Sequence, residues 1–179
     1  PEYRGGTVDQ YIPLAHEAIE RALAINPESA RALTTSAYVK FMYDYDFEGA
    51  RVDIERAIQI DPGYATAHQW YGELLAVELQ FDAALDQLRL ARIADPLAAI
   101  IPHVMGWILS FTNRTDEAYV HYEKALEIDA HFSSTIGNLV VLNMVTGRYD
   151  QARTRCLQQA TVMGNDPTTL LAVIDALEN

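Results

Sequence analysis

Three observations predict an all-α chain, a right-handed superhelical α-solenoid of antiparallel helix pairs. Alanines recur 34 residues apart, at Ala50, Ala84, Ala118 and Ala152. Each brings the same neighbours: a bulky residue four positions on (Ile54, Leu88, Tyr122, Cys156) and, in three of the four periods, a small residue seven positions on (Ala57, Ala91, Ala125). Pro, Asp, Gly and Asn divide every period into two segments of helical length. A fixed period of this size means stacked supersecondary units, each of which buries its apolar face only against its neighbours.

Composition agrees with a folded, soluble array. Half of the 179 residues are apolar and 21% are charged, too many apolar residues for a disordered chain. A net charge of -12, with no run of Lys or Arg, repels phosphate backbones and argues against nucleic acid as a partner of this segment. The longest apolar stretch, 97–111, is interrupted by Pro102 and His103 and is too short to span a bilayer, so no membrane insertion is expected. The single cysteine, Cys156, excludes an internal disulfide.

The elements follow in order. Residues 1–10 read as an irregular loop, as expected of a chain that continues upstream. Ala15, Ile19, Ala22, Ile25, Asn26 and Pro27 repeat the small–large–small pattern and predict a helix at about 11–25. That copy lies 35 rather than 34 residues before Ala50, which places one inserted residue near 43–46. Positions 0, 4 and 7 share one helix face: the small residues admit a close partner and the large one fills the gap. This predicts second helices at about 47–60, 81–94, 115–128 and 149–162. The segments before them predict first helices at about 30–43, 65–79, 99–112 and 133–146. Gly72 and Gly106, mid-helix, cost about 1 kcal/mol against alanine and so imply close helix contact. Gly147 and Asn113 suit the left-handed residue that ends a helix. Pro62 and Pro96 stop the preceding helices, and Asp61, Asp95 and Asp166 are expected to accept from the free N–H groups of the next helix start. Asp166-Pro167 opens a last helix to about 177, which is expected to cover the apolar edge of the array.

These residues resemble the tetratricopeptide repeat (TPR): small at position 8 (Ala37, Gly72, Gly106), aromatic at 17, Ala at 20, large at 24, Ala at 27 and Pro at 32. Departures are Ala130 for Pro, Thr115 for an aromatic, and Val140 and Gln159 in the last repeat. The resemblance implies one array over 1–179: a partial repeat 1–29, repeats at about 30–64, 65–98, 99–132 and 133–166, and a capping helix at about 167–177. The strings Tyr43 to Ala50, Tyr64 to Tyr71 and Asp95-Pro96-Leu97 resemble TPR segments attached to bacterial signalling proteins such as winged-helix regulators, class III adenylate cyclases and serine/threonine kinases. That implies a regulatory segment of a larger protein, cytoplasmic if its parent is a soluble cyclase or kinase.

In such stacks first-helix positions 2, 5, 9, 12 and 13 line a concave face. The candidate partner-binding residues are Tyr38, Phe41, Gln69, Trp70, Glu73, His103, Trp107, Phe111 and Asn138. Each has a plainer reading. Trp70 reads equally as packing between repeats, Tyr38 and Phe41 as core beside the insertion, Trp107 as groove or core, and His103 as an ordinary polar residue. Gln69 and Glu73 are one turn apart on a face that is solvated by default, and Asn138 lines the groove or bonds to nearby backbone. The Lys and Asn that clamp chaperone C-terminal tails in this family are absent: positions 5 and 9 hold Thr34/Tyr38, Gln69/Glu73, His103/Trp107 and Gly137/Val141.

No catalytic, cofactor or metal site is expected. Gly5-Gly6 opens no phosphate loop, the five histidines have no ligand spacing, and Cys156 fills an apolar slot. Three functions remain: a scaffold binding a protein or peptide partner, a sensor binding a small molecule or short peptide, and self-association as a homodimer. A closed aromatic pocket would favour the small ligand, an open channel the peptide.

Overall fold

The computed structural model describes residues 8–178. These form α1 (Val8–Ile25), α2 (Ala30–Val39) continued by a π turn (Lys40–Asp44), α3 (Phe47–Ile60), α4 (Ala65–Val77), α5 (Phe81–Ala94), α6 (Ile100–Phe111), α7 (Thr115–Ile128), α8 (Ser133–Val145), α9 (Tyr149–Met163) and α10 (Thr168–Glu178). No strand occurs among the described residues. The chain is therefore all-α, an α-solenoid of antiparallel helix pairs. The expectation of an irregular loop over 1–10 lies outside the described residues for 1–7. Residues 8–10 correct it, because α1 already starts at Val8 and carries Pro13 in its second turn, where the helix gives up one backbone hydrogen bond.

Two compact units divide the chain, Pro1–Pro96 and Leu97–Asn179. In the first, Leu33, Ala37, Phe41, Ala50, Ile54, Ala57, Ala67 and Leu74 form a buried core. Ser36 and Lys40 both bond Asp53 at 2.6 Å, tying α2 to α3. The buried His68 pairs through Nδ1 with Gln87 Oε1 of α5 (2.7 Å) and donates from Nε2 to the Pro62 carbonyl (2.9 Å), which pins the α3–α4 linker. In the second unit, Val140, Ala152, Cys156 and Ile174 cluster with Met144, Leu170 and Leu171. Ile174 carries α10 into that core, and Arg153 of α9 holds the outside of α10 through Asp175 (2.8 Å) and Glu178.

The small–large–small pattern works as steric reasoning requires. Ala50, Ala57, Ala84, Ala91, Ala118, Ala125 and Ala152 are 0% exposed. A Cβ on Gly72 would sit 2.9 Å from Leu88 Cγ and 3.1 Å from the Ala84 carbonyl, so α4 and α5 approach each other closely there. Asp61 corrects one expectation. Its carboxylate accepts from Gly63 N–H (3.1 Å) inside the linker, not from α4. Asp166 does act at a helix start, accepting from Thr168 N–H at 2.9 Å.

Each first helix ends in a left-handed residue: Tyr45 (φ 57°), Leu79 (62°), Asn113 (59°) and Gly147 (71°). These positions keep the 34-residue period, which shows where the upstream insertion went. The extra residue lies before Tyr45, inside the helix, where the backbone widens into the π turn 40–44 and Tyr45 donates to the Lys40 carbonyl.

Candidate functional site

In the first unit, α2 and α4 bring Tyr38, Trp70, Gln69 and Glu73 together. The rings of Tyr38 and Trp70 lie 4.3 Å apart with planes tilted by 30°, and Tyr43 meets Tyr38 edge-on at 6.3 Å. Gln69 donates to the Glu73 carboxylate at 2.9 Å. Burial raises the Glu73 carboxyl above its ordinary value, against the smaller lowering from Gln69. Burial likewise raises the Tyr38 phenol, with smaller contributions from Tyr43 and Glu73. Among the described residues Glu73 has no ion-pair partner.

Phe41 corrects the expected groove set. It is 8% exposed, packed in the core 6.0 Å from Phe47. Residues of the π turn leave the phase of α2, so Phe41 turns inward while Met42 and Tyr43 face out. Thr34 is also fully buried and donates to the Ala30 carbonyl at 2.7 Å.

In the second unit a trough of about 570 Å³ lies between α6, α7 and α8. Trp107 and Phe111 form one wall, edge to face at 5.0 Å. Asn138 and Val141 stand on the other side, and Tyr122 of α7 lines it as well. Phe111 is 65% exposed. Ser110 lines it too: its hydroxyl donates to the Gly106 carbonyl at 2.8 Å and lies 3.4 Å from the Tyr122 hydroxyl. The Tyr122 phenol is raised by burial, with opposing hydrogen bonds from Ser110 and Asn138. Polar edges thus sit among apolar walls.

His103 goes elsewhere. Its Nδ1 pairs with the buried Thr135 hydroxyl at 2.9 Å, its ring lies 4.9 Å from Phe132, and burial lowers its pKa. It locks α6 to α8 rather than lining the trough. Sequence reasoning missed Ser110 and Tyr122 as trough residues. The available signal was Tyr122 itself, which carries a hydroxyl where the equivalent slots hold Ile54, Leu88 and Cys156. Among the described residues no group of three His, Cys, Asp or Glu could hold a metal ion, and no helix is long and apolar enough to cross a membrane.

A tetratricopeptide-repeat family model matches residues 103–132, a helix pair that supplies Trp107, Phe111 and Tyr122. The fold is that of the TPR proteins. Solved TPR-like structures align over most of the chain. PilW, a type IV pilus biogenesis factor, is 21% identical with a TM-score of 0.78, covering 87% of this chain and 72% of PilW. MamA is 18% identical with a TM-score of 0.71, covering 83% and 86%. YrrB, described as a TPR protein with an unusual peptide-binding site, is 19% identical with a TM-score of 0.66, covering 81% and 74%. At these identities the likeness is one of fold. No curated protein matches the sequence.

Proposed function

We propose that this TPR chain is a non-catalytic interaction scaffold that takes a peptide or an extended segment of a partner protein in the groove face of its first helices α6 and α8. The observation that carries the reading is the trough of the second unit. Phe111 and Trp107 offer aromatic surface to solvent beside the hydrogen-bonding edges of Ser110, Asn138 and Tyr122. Exposed aromatic area costs about 25 cal/mol per Å² relative to burial, so a covering ligand gains that energy. Aromatic anchors ringed by polar groups are what dominate protein interfaces. The trough is half open rather than sealed, which favours a peptide over an enclosed small molecule. The peptide site named for YrrB supports the same use of the fold. The strings at 43–50, 64–71 and 95–97 support a regulatory segment of a larger bacterial signalling protein, cytoplasmic where that parent is a soluble cyclase or kinase, with the repeats forming one array.

Selection of random displayed peptides on the immobilised chain tests this, followed by fluorescence anisotropy on wild type and Trp107→Ala of unchanged helicity. Loss of an anchor of about 2 kcal/mol weakens binding roughly thirtyfold. Selected peptides that bind both forms equally would remove the trough from the mechanism, and failure to select any would remove the peptide.

A further inference from the structure

We infer that the aromatic wall of the first unit is a receptor for a cationic side chain, an arginine of a partner segment, laid on the outside of the Tyr38–Trp70 stack beside the carboxylate of Glu73. The inference rests on the reading that the partner is a peptide or protein segment, but uses a different part of the chain.

Glu73 lies on α4 one turn beyond Gln69, and Gln69 is its hydrogen-bond partner. A carboxylate taken partly out of water normally acquires a cation, because desolvation penalises an unpaired charge. Elsewhere in this unit the partly buried carboxylates have done so: Asp53 holds Lys40 at 2.6 Å, and Glu78 holds Arg51. Glu73 has the neutral amide of Gln69 as its partner, with Tyr38 near enough to interact with it electrostatically. Tyr38 and Trp70 are half-buried, with Tyr43 against the edge of Tyr38. The gap they enclose with Ala37, Phe41, Ile54 and Leu74 is only about 10 Å³, so a ligand lies on these rings and does not enter beneath them.

Faces of Trp and Tyr attract cations through their quadrupoles. A guanidinium suits the place better than an ammonium: it is planar, stacks on an indole, is weakly hydrated and can present two N–H groups to one carboxylate. The net charge of -12 favours approach of a basic segment. The chemistry is the reverse of a clamp for acidic tails, whose basic residues this chain lacks at the corresponding positions.

The probe is N-acetyl-arginine-N-methylamide, compared with its citrulline counterpart, which has the same shape without the charge. Both are titrated against the ¹⁵N-labelled full chain, reading the Trp70 indole N–H resonance, assigned by Trp70→Phe. Arginine is expected to shift the Trp70 signal with at least about tenfold higher affinity than citrulline. In Glu73→Gln, an isosteric change, that preference falls to about twofold or less. Equal response to the two probes in wild type overturns the site, as does an arginine preference unchanged in Glu73→Gln. The Trp107 experiment reads the other unit, so a failed peptide selection and a failed cation site are told apart.

Discussion

Gly106 of α6 lies directly against the ring of Tyr122. A Cβ on Gly106 would fall 2.7 Å from Cδ1 and 2.8 Å from Cε1. Tyr122 is buried and the atoms that the added Cβ meets are all of its rigid ring, so the side chain yields only by moving as a whole. Gly106→Ala should therefore destabilise the chain by about 1–3 kcal/mol, although alanine is the better helix former by about 1 kcal/mol. Gly137→Ala makes the control. Its added Cβ meets only the Gln159 amide at 2.7 Å, the mobile end of a partly exposed side chain, so propensity should win and stability should hold or rise by up to about 1 kcal/mol. Urea denaturation of both variants decides it; equal losses would mean that Tyr122 does not set the helix separation.

The left-handed positions make a second pair. Leu79 holds φ 62° while 73% exposed, in the place that Gly147 takes two periods later at φ 71°. A residue with a Cβ costs about 1–2 kcal/mol in that conformation, and the Leu79 side chain recovers little by packing. Leu79→Gly should raise stability by about 0.5–1 kcal/mol after the entropy that glycine adds to the unfolded chain. Gly147→Ala, with nothing near its added Cβ, should lower it by about 1 kcal/mol for the backbone alone. Thermal melts that move in the same direction for both would contradict the shared role.

Asn143 is fully buried in α8, and neither its amide nitrogen nor its amide oxygen has a hydrogen-bond partner. The equivalent positions one and two periods earlier hold the buried Leu109 and Leu75. Leaving such a group unsatisfied costs about 1–3 kcal/mol. Asn143→Leu should return that energy and raise the melting temperature by several degrees. A lower melting temperature would show that the amide is satisfied in solution.

The helix pairs were legible because their cause is local: small residues at 0 and 7 and prolines between helices state the packing in the sequence. The sites were legible only where helical phase persists. Trp107, Phe111 and Asn138 meet in one trough because α6 and α8 are regular. Phe41 was misplaced because a one-residue insertion has two outlets, a longer loop or a π turn, and the period alone does not choose between them. His103 was open for another reason. It stands on α6 but pairs with Thr135, 32 residues away, and such a pairing leaves no mark on a periodic pattern.

Glu73 yields a prediction in which stability and recognition oppose each other. Burial raises its carboxyl above the ordinary value of 4.5, so the folded chain binds the proton more tightly than the unfolded chain does. At neutral pH the charge is present in both states, and the folded state bears the desolvation penalty. As pH falls through the raised value towards 4.5, the folded state takes up the proton first and the penalty is lifted. Glu73→Gln should therefore melt higher than wild type at pH 7, with the difference shrinking on acidification and nearly gone below about pH 4. Other titrating groups are common to both chains and cancel in the difference. A variant that is less stable at pH 7 would mean that the carboxylate has an unseen cation in the free protein, and the arginine site would already be occupied. A variant that is more stable yet loses its preference for arginine over citrulline would identify Glu73 as a charge kept at the expense of the fold for the sake of a ligand.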